Sequence, residues 1–192
     1  MTRFWWVRHG PTHEKAFVGW RDVPADLSDI ARIARLDAHL PKGALLVSSD
    51  LVRASATAAA LANGREALPA DPALREINFG AWDGLHWSEA SARDPDLTRA
   101  FWETPGDIAP PDGESWNAVA ARVDGFVAQI LAAHPGRDIV AVAHFGVILT
   151  RVQQAGGLTA QAALAHSVEP LSVTQTEHTA AGWHLGEIGT CP

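Results

Sequence analysis

An apolar run of strand length near the start of the chain ends abruptly at a basic residue and a histidine. Residues 3–7 read Arg-Phe-Trp-Trp-Val, and Arg8, His9, Gly10 and Pro11 follow directly. Glycine and proline interrupt strands, so the sequence predicts a strand with Arg8 and His9 at its carboxyl end. Ligands bind at that end of strands in open α/β sheets. Arginine can bind an oxyanion there, and an adjacent imidazole can act as a base or a nucleophile.

The rest of the chain alternates between apolar runs of strand length and helical patterns. Strands are predicted from the short apolar runs, and helices from apolar residues that recur three or four positions apart. The predicted later strands cover 44–47, 67–70, 138–143, 168–173 and 183–188. Four helices are predicted: three follow N-caps, at Ser28, at 48–50 and at Ser115, and the fourth follows His144. This alternation predicts an α/β fold with a largely parallel sheet.

Composition limits the class of protein. A chain of 192 residues suits one domain with a substantial core, and a formal net charge of −7 argues against a general nucleic-acid or anionic-membrane binder. The single cysteine, Cys191, excludes an intrachain disulfide and suits a reducing compartment. The apolar start is too short for a signal peptide, and the longest apolar run, 139–149, is too short for a membrane span. We therefore expect a cytoplasmic protein.

Three further residues are candidates for the same site. Arg53 lies in the first turn of the second predicted helix, where free N–H groups favour an anion. His144 closes an apolar strand before a helix, as His9 follows one. Glu76 stands among apolar and aromatic neighbours, which would raise the pKa of its carboxyl group toward that of a general acid. Each alone has an ordinary alternative: a surface arginine, a structural histidine, and a loop carboxylate paired with Arg75.

Together these stretches resemble the histidine phosphatase superfamily, also called phosphoglycerate mutase-like. The matching pieces follow the order of the family and extend to about residue 150. They are Arg8-His9-Gly10 with Thr12, 48–54 with Thr57-Ala58, Glu76 before 79–84, 113–115, and 142–146. One tripeptide is a weak signal, whereas five ordered pieces at compatible spacing are a specific one.

The resemblance implies a three-layer α/β/α sandwich with a mainly parallel mixed sheet. Residues 1–192 would form a single domain, in which an irregular and partly helical excursion at about 76–113 lies over the active site. The implied partner is a small-molecule phosphomonoester. No nucleic acid and no membrane is expected as a partner, and a homodimer is left open.

The same resemblance implies a metal-independent phosphomonoester hydrolase that acts through a phosphohistidine. His9 would attack phosphorus while Arg8, Arg53 and His144 hold the non-bridging oxygens. Glu76 would protonate the leaving oxygen and later deprotonate the attacking water. No cofactor and no metal is expected, because guanidinium and imidazole groups supply the positive charge. Further substrate-binding residues are predicted at Gly10, Thr12, Lys15, Gly19, Trp20 and Phe145.

The chain departs from the usual family pattern at three positions. Pro11 replaces a common glutamate or glutamine, and Lys15 replaces a phosphate-contacting asparagine. Phe145 replaces the first glycine of His-Gly-Gly, where it either narrows the pocket or restricts the approach of the backbone. A lysine can supply a point charge to phosphate in place of the asparagine.

Two apparent metal motifs are rejected. His9 and His13 have the spacing of zinc ligands on a helix, but Gly10-Pro11 disfavours a helix between them. The run from Asp94 to Thr98 resembles the aspartate motif of magnesium-dependent haloacid dehalogenase-type phosphatases. No apolar strand precedes it, so it is interpreted as polar surface.

Two other functions remain as alternatives: a phosphoglycerate mutase, and a non-catalytic module that binds a phosphate ligand. A mutase needs extra cations on the excursion, yet residues 76–113 contain only Arg93 and Arg99 against many carboxylates. A non-catalytic module would need neither a nucleophile nor an acid, so His9 and Glu76 favour hydrolysis. The sequence does not determine the substrate. Five tryptophans are candidates to line a cleft for an organic leaving group, but for most of them we predict packing in the core instead. They are Trp20, Trp82, Trp87, Trp102 and Trp116.

Overall fold

The computed structural model describes all 192 residues and contains one six-stranded mixed sheet. The strand order is β3-β2-β4-β1-β5-β6, with β1 Thr2–Arg8, β2 Leu45–Ser48, β3 Glu66–Ala67, β4 Asp138–Ala143, β5 Val173–Thr179 and β6 Gly182–Leu185. The first four strands pair in parallel, whereas β5 runs antiparallel to β1 and β6 antiparallel to β5. The predicted mainly parallel mixed sheet is confirmed.

Helices cover both faces of this sheet. They are α1 Ile30–His39, α2 Val52–Ala60, α3 Trp87–Arg93, α4 Pro95–Glu103, α5 Trp116–Ala133, α6 Phe145–Gly156 and α7 Ala160–Leu164. Alternate residues of a strand point to opposite faces. Thus Val140 and Val142 of β4 pack with α1 and α2, and Ile139 and Ala141 pack with α5 and α6. The predicted three-layer sandwich is confirmed, and none of its helices has the length and apolarity needed to cross a membrane.

The register between β1 and β4 positions the candidate site. Arg8 pairs with Ala143 in this parallel ladder, so the next residue of each strand leaves the sheet at the same edge. The backbone N–H of His9 donates to the carbonyl oxygen of Ala143 at 3.1 Å. His9 and His144 are therefore neighbours because two parallel strands end together.

The minor strands differ from the prediction. β3 lies one residue earlier than predicted and is only two residues long. The predicted strand at 168–173 is mostly loop, because Pro170 lacks an N–H group and Leu171 adopts a left-handed conformation with φ of 59°. β5 consequently begins at Val173 and pairs through Thr179. β6 ends at Leu185, and beyond it Thr190 makes an isolated bridge to Val173.

The caps of the first two helices also differ. α1 is capped by Asp29, whose side chain accepts from the backbone N–H of Arg32, and not by Ser28. α2 begins at Val52 after Leu51, which supplies no side-chain cap. Instead, the carboxylate of Asp22 accepts from the backbone N–H of Val52 at 2.7 Å. This cap comes from a distant loop, which local cap signals cannot identify.

Two ordered helices occupy the excursion at 76–113. His86 and Glu89 form a reciprocal capping box at the start of α3, and Pro95 occupies the first turn of α4. The apparent aspartate motif coincides with the start of α4, where Asp94 accepts from the indole N–H of Trp82 at 2.8 Å. Thr98 is buried, so the interpretation of this run as polar surface is wrong for that residue.

Candidate active site

A cleft of about 230 Å³ opens beside the carboxyl end of β1. Five predicted site residues line it, namely Arg8, His9, Thr12, Glu76 and Phe145. The remaining lining residues are Glu14, Ala16, Phe17, Val18, Phe79 and Trp102. The structure thus combines a nucleophile candidate, an arginine and a carboxyl group in one cavity with an aromatic wall.

His9 is buried and held in one orientation. Its Nδ1–H group donates to the carbonyl oxygen of Gly10 at 2.7 Å, because a carbonyl can only accept. The other ring nitrogen, Nε2, then carries the lone pair. Burial, together with the charges of Arg53 and Arg8, lowers the pKa of His9 to about 3. The imidazole is therefore neutral and nucleophilic at neutral pH.

His144 is fully buried and its ring lies beside that of His9. The two ring centroids are 5.0 Å apart, with planes inclined by 58°. Neither ring nitrogen of His144 has a hydrogen-bond partner within the protein. Burial and the positive charge of Arg53 hold the pKa of His144 well below the ordinary value. Buried polar groups without hydrogen-bond partners are rare and energetically costly. Where they do occur, a functional site is one explanation, and His144 fits it.

The two arginines occupy different positions relative to the cleft. Arg8 lines it, donates to the carbonyl oxygen of Val168 at 2.7 Å, and lies over the ring of Phe145 at 5.4 Å. Arg53 is in the first turn of α2 as predicted, but it is buried and does not line the cleft. Its guanidinium donates to the carbonyl oxygen of Gly19 at 2.6 Å, while the Nε atoms of both arginines lack partners.

Glu76 carries the buried carboxyl group of the cleft. Its Oε1 accepts from the backbone N–H groups of Ile77 and Gly146, both at 2.9 Å. Burial raises its pKa, although these hydrogen bonds and the charges of the arginines oppose the shift. A side chain at Gly146 would place a Cβ atom 2.6 Å from Oε1. Glycine there lets the backbone approach the carboxyl group.

Arg122 holds the segment that carries Glu76 in place. It donates to the carbonyl oxygens of Glu76 at 2.9 Å and Ala73 at 2.7 Å. Its Nε–H group also donates to the carboxylate of Glu114 at 2.8 Å. Sequence reasoning missed Arg122, because nothing in a helical pattern shows which polar side chain points toward a loop. The only sequence signal was Glu114, which lies in the matching piece 113–115.

Other predicted substrate-binding residues lie away from the cleft surface. Lys15 is exposed and does not line the cleft. Gly19 and Trp20 do not line the cleft but contact site residues: the carbonyl oxygen of Gly19 accepts from Arg53, and the indole N–H of Trp20 donates to the carbonyl oxygen of Glu76 at 2.9 Å. Gly10 is buried beside His9, where its N–H group donates to the hydroxyl of Thr57 at 3.0 Å.

The rejected zinc pair is also apart in the structure. His13 is exposed and its Nε2 lies 2.8 Å from the carboxylate of Asp26, whereas His9 faces the cleft. No group of three or more histidine, cysteine or acidic side chains is placed to hold a metal ion.

The fold and the cleft together define an α/β protein of the phosphoglycerate mutase-like class, with two histidines at the ends of neighbouring parallel strands. The sequence profile of the histidine phosphatase superfamily (branch 1) matches residues 4–190, and the chain belongs to this family. The resemblance predicted from the five sequence pieces is confirmed.

Several of the similar proteins and solved structures carry phosphatase names. A bifunctional protein of Mycobacterium tuberculosis is 38% identical over 128 residues, which cover 66% of this chain and 33% of that protein. The chain thus matches about a third of that relative's length. A metal-independent phosphoserine phosphatase of Arabidopsis thaliana is 29% identical, covering 95% of this chain and 83% of that protein. A mycobacterial glucosyl-3-phosphoglycerate phosphatase structure, 29% identical, matches with a TM-score of 0.86 over 99% of both chains.

Proposed function

We propose that this protein hydrolyses phosphomonoesters of small metabolites through a phosphohistidine at His9, without a metal ion. The observation that carries the proposal is that one cleft holds a neutral, oriented His9, Arg8 and the buried carboxyl group of Glu76, whose pKa is raised by burial. A nucleophile, an anion-binding group and a general acid are the three parts that phosphoryl transfer to an imidazole requires.

In the first step, Nε2 of His9 attacks phosphorus and the bond to the leaving oxygen breaks. Glu76 gives its proton to that oxygen, so the alcohol leaves neutral and the carboxylate remains. Arg8 and the N–H group of the unpartnered His144 ring donate to the non-bridging oxygens, and Arg53 contributes positive charge nearby. The raised pKa of Glu76 keeps its proton available for this step.

In the second step, the Glu76 carboxylate removes a proton from water and the resulting hydroxide attacks the phosphohistidine. The phosphorus–nitrogen bond breaks, inorganic phosphate forms, and His9 and protonated Glu76 are restored. The Nδ1 hydrogen bond to Gly10 holds the imidazole in one orientation through both steps. The two steps together consume one ester molecule and one water molecule and release the alcohol and inorganic phosphate.

A phosphoglycerate mutase is the alternative that shares all of these residues. It would have to retain a bisphosphorylated intermediate, for which extra cations are needed near the leaving group. Arg93 and Arg99 are the only cations of the excursion, and neither lines the cleft. Arg99 is exposed and paired with Asp96 on α4. The distribution of charge favours water over a returning substrate as acceptor.

The test is turnover of a panel of phosphomonoesters by the purified chain without added metal, with acid-labile phosphate on His9 measured by mass spectrometry. We expect phosphate release and a labelled His9. In parallel, 3-phosphoglycerate with catalytic 2,3-bisphosphoglycerate distinguishes the mutase. Formation of 2-phosphoglycerate much faster than phosphate release would refute the hydrolase. Absence of both products would favour the non-catalytic module.

A further inference from the structure

The cleft has two chemically different sides. Arg8, His9 and Glu76 form the side that would hold the phosphoryl group. The other side is formed by aromatic side chains from separate parts of the chain, Phe17, Phe79, Trp102 and Phe145. These residues have no role in the transfer of the phosphoryl group itself, so their chemistry bears on the leaving group.

Phe17, Phe79, Trp102 and Phe145 form the aromatic wall of the cleft, and the rings of the first three pack against one another. The ring of Phe17 lies 4.8 Å from that of Phe79, and 6.2 Å from that of Trp102 with planes only 14° apart. Phe17 and Trp102 remain partly exposed although they pack on the core. Partly exposed, nearly parallel rings at a cleft present an apolar surface on which another flat ring can stack.

The charges near this wall disfavour a second anion. Glu14 is the one acidic residue of the cleft besides Glu76, and its carboxylate accepts from Arg21 at 2.9 Å. Arg21 is thereby paired, and Arg53 is committed to backbone carbonyl groups. Among the lining residues, only Arg8 carries a permanent positive charge. Because Arg8 would bind the phosphoryl group, no lining cation would remain for a second anionic group.

We infer that this cleft selects phosphomonoesters whose leaving group carries a flat apolar ring and no second anionic group. The inference rests on the proposed function and narrows its substrate class. Stacking of the ring on Phe17 and Trp102 supplies the attraction. The discrimination against acids follows because Glu14 pairs with Arg21, which leaves Arg8 as the one permanent cation of the lining. Carboxylate-bearing esters such as phosphoserine and phosphoglycerate would then be poor substrates for this chain.

The test compares three esters of unactivated primary alcohols, so that leaving-group basicity differs little. They are 3-phenylpropyl phosphate, propyl phosphate and the phosphate ester of 4-hydroxybutanoate. We expect kcat/KM for the phenylpropyl ester to exceed that for the propyl ester by at least about tenfold, since apolar side-chain contacts contribute that much. The carboxylate ester should be slower than the propyl ester.

Variants assign the effect to the wall. Trp102→Leu and, separately, Phe17→Leu should reduce the phenylpropyl-to-propyl ratio, and Glu14→Gln should raise the rate for the carboxylate ester relative to the propyl ester. Trp87→Leu is the matched control, because Trp87 is 64% exposed and lies outside the cleft. It should leave both ratios unchanged.

The outcomes separate the two proposals. If p-nitrophenyl phosphate and all three esters release no phosphate, the proposed function is wrong and this inference with it. If the esters are hydrolysed but the wild type shows no preference for the ring, or prefers the carboxylate ester, only the inference is wrong. A preference that persists in both leucine variants would also overturn it.

Discussion

The rings of His9 and His144 lie with their centroids 5.0 Å apart, although they follow different strands of the sheet. Both are buried, and burial lowers the pKa of each. Two neutral imidazoles therefore face one another beside Arg8. In the proposed mechanism, one ring attacks phosphorus and the other binds its oxygens.

Replacement of His9 tests the nucleophile. We expect His9→Ala to reduce phosphate release by roughly a thousandfold or more, because loss of a covalent nucleophile removes the reaction path. Circular dichroism and the melting temperature should show a folded protein. His13→Ala is the control, since His13 is exposed and outside the cleft. Most of the activity surviving in His9→Ala would rule out the phosphohistidine.

The proton donor is tested with two leaving groups. Glu76→Gln keeps the shape of the side chain and removes the titrating proton. We expect a severe loss of kcat for alkyl phosphates and a smaller loss for p-nitrophenyl phosphate, whose leaving group needs little protonation. Equal losses for both esters would instead assign Glu76 a positioning role.

Glu76→Gln should be less active than the wild type but more stable. Because the pKa of Glu76 is raised in the folded state, the unfolded chain loses this proton at a lower pH. The stability that Glu76 contributes is complete below its ordinary pKa and is lost as pH rises through the raised value. We expect Glu76→Gln to increase the free energy of unfolding by about 1 kcal/mol more at pH 8 than at pH 4. Urea denaturation at the two pH values measures this, and a larger gain at pH 4 would contradict it.

Acid should destabilise the folded protein through the titration of His9. The pKa of His9 is about 3 when folded and the unfolded chain takes up this proton near pH 6.5, so its stabilising contribution is complete above pH 6.5. It falls as pH drops from 6.5 toward 3, by at most about 1.4 kcal/mol per pH unit. Urea denaturation from pH 7 to 4 should show a smaller loss in His9→Asn than in the wild type. Identical losses would mean that His9 titrates alike in both states.

Arg122 is expected to position Glu76 without touching the substrate. Arg122→Met removes the hydrogen bonds to the carbonyl oxygens of Glu76 and Ala73. We expect kcat for alkyl phosphates to fall by about 10- to 100-fold with little change in KM, because a small displacement of an acid is costly. Arg122→Lys should restore part of the rate. Arg99→Met, at an exposed pair on α4, is the control. An unchanged kcat in Arg122→Met would exclude the positioning role.

Metal independence is tested by chelation. Arginine side chains supply positive charge at the cleft, so we expect the rate to be unchanged by EDTA after dialysis. Activity that EDTA abolishes and magnesium restores would contradict the proposed mechanism.

The sequence alone determined the two central parallel strands β1 and β4 and the residues that end them. β1 and β4 were predicted because apolar runs of strand length stop at Arg8 and His144, and parallel strands bring such ends to one edge. These signals are local, since residue type and spacing along one strand or helix suffice to read them.

Only the tertiary structure decided what surrounds those strand ends. The aromatic wall joins Phe17, Phe79 and Trp102 from segments without a shared periodicity, and the helix α4, which carries Trp102, was largely unpredicted. Arg53 lies in the first turn of α2 as predicted, but its burial depends on the loop that contains Gly19. Such contacts are fixed by long-range packing and hydrogen bonding, because burial and partner choice depend on the whole chain and not on neighbouring residues.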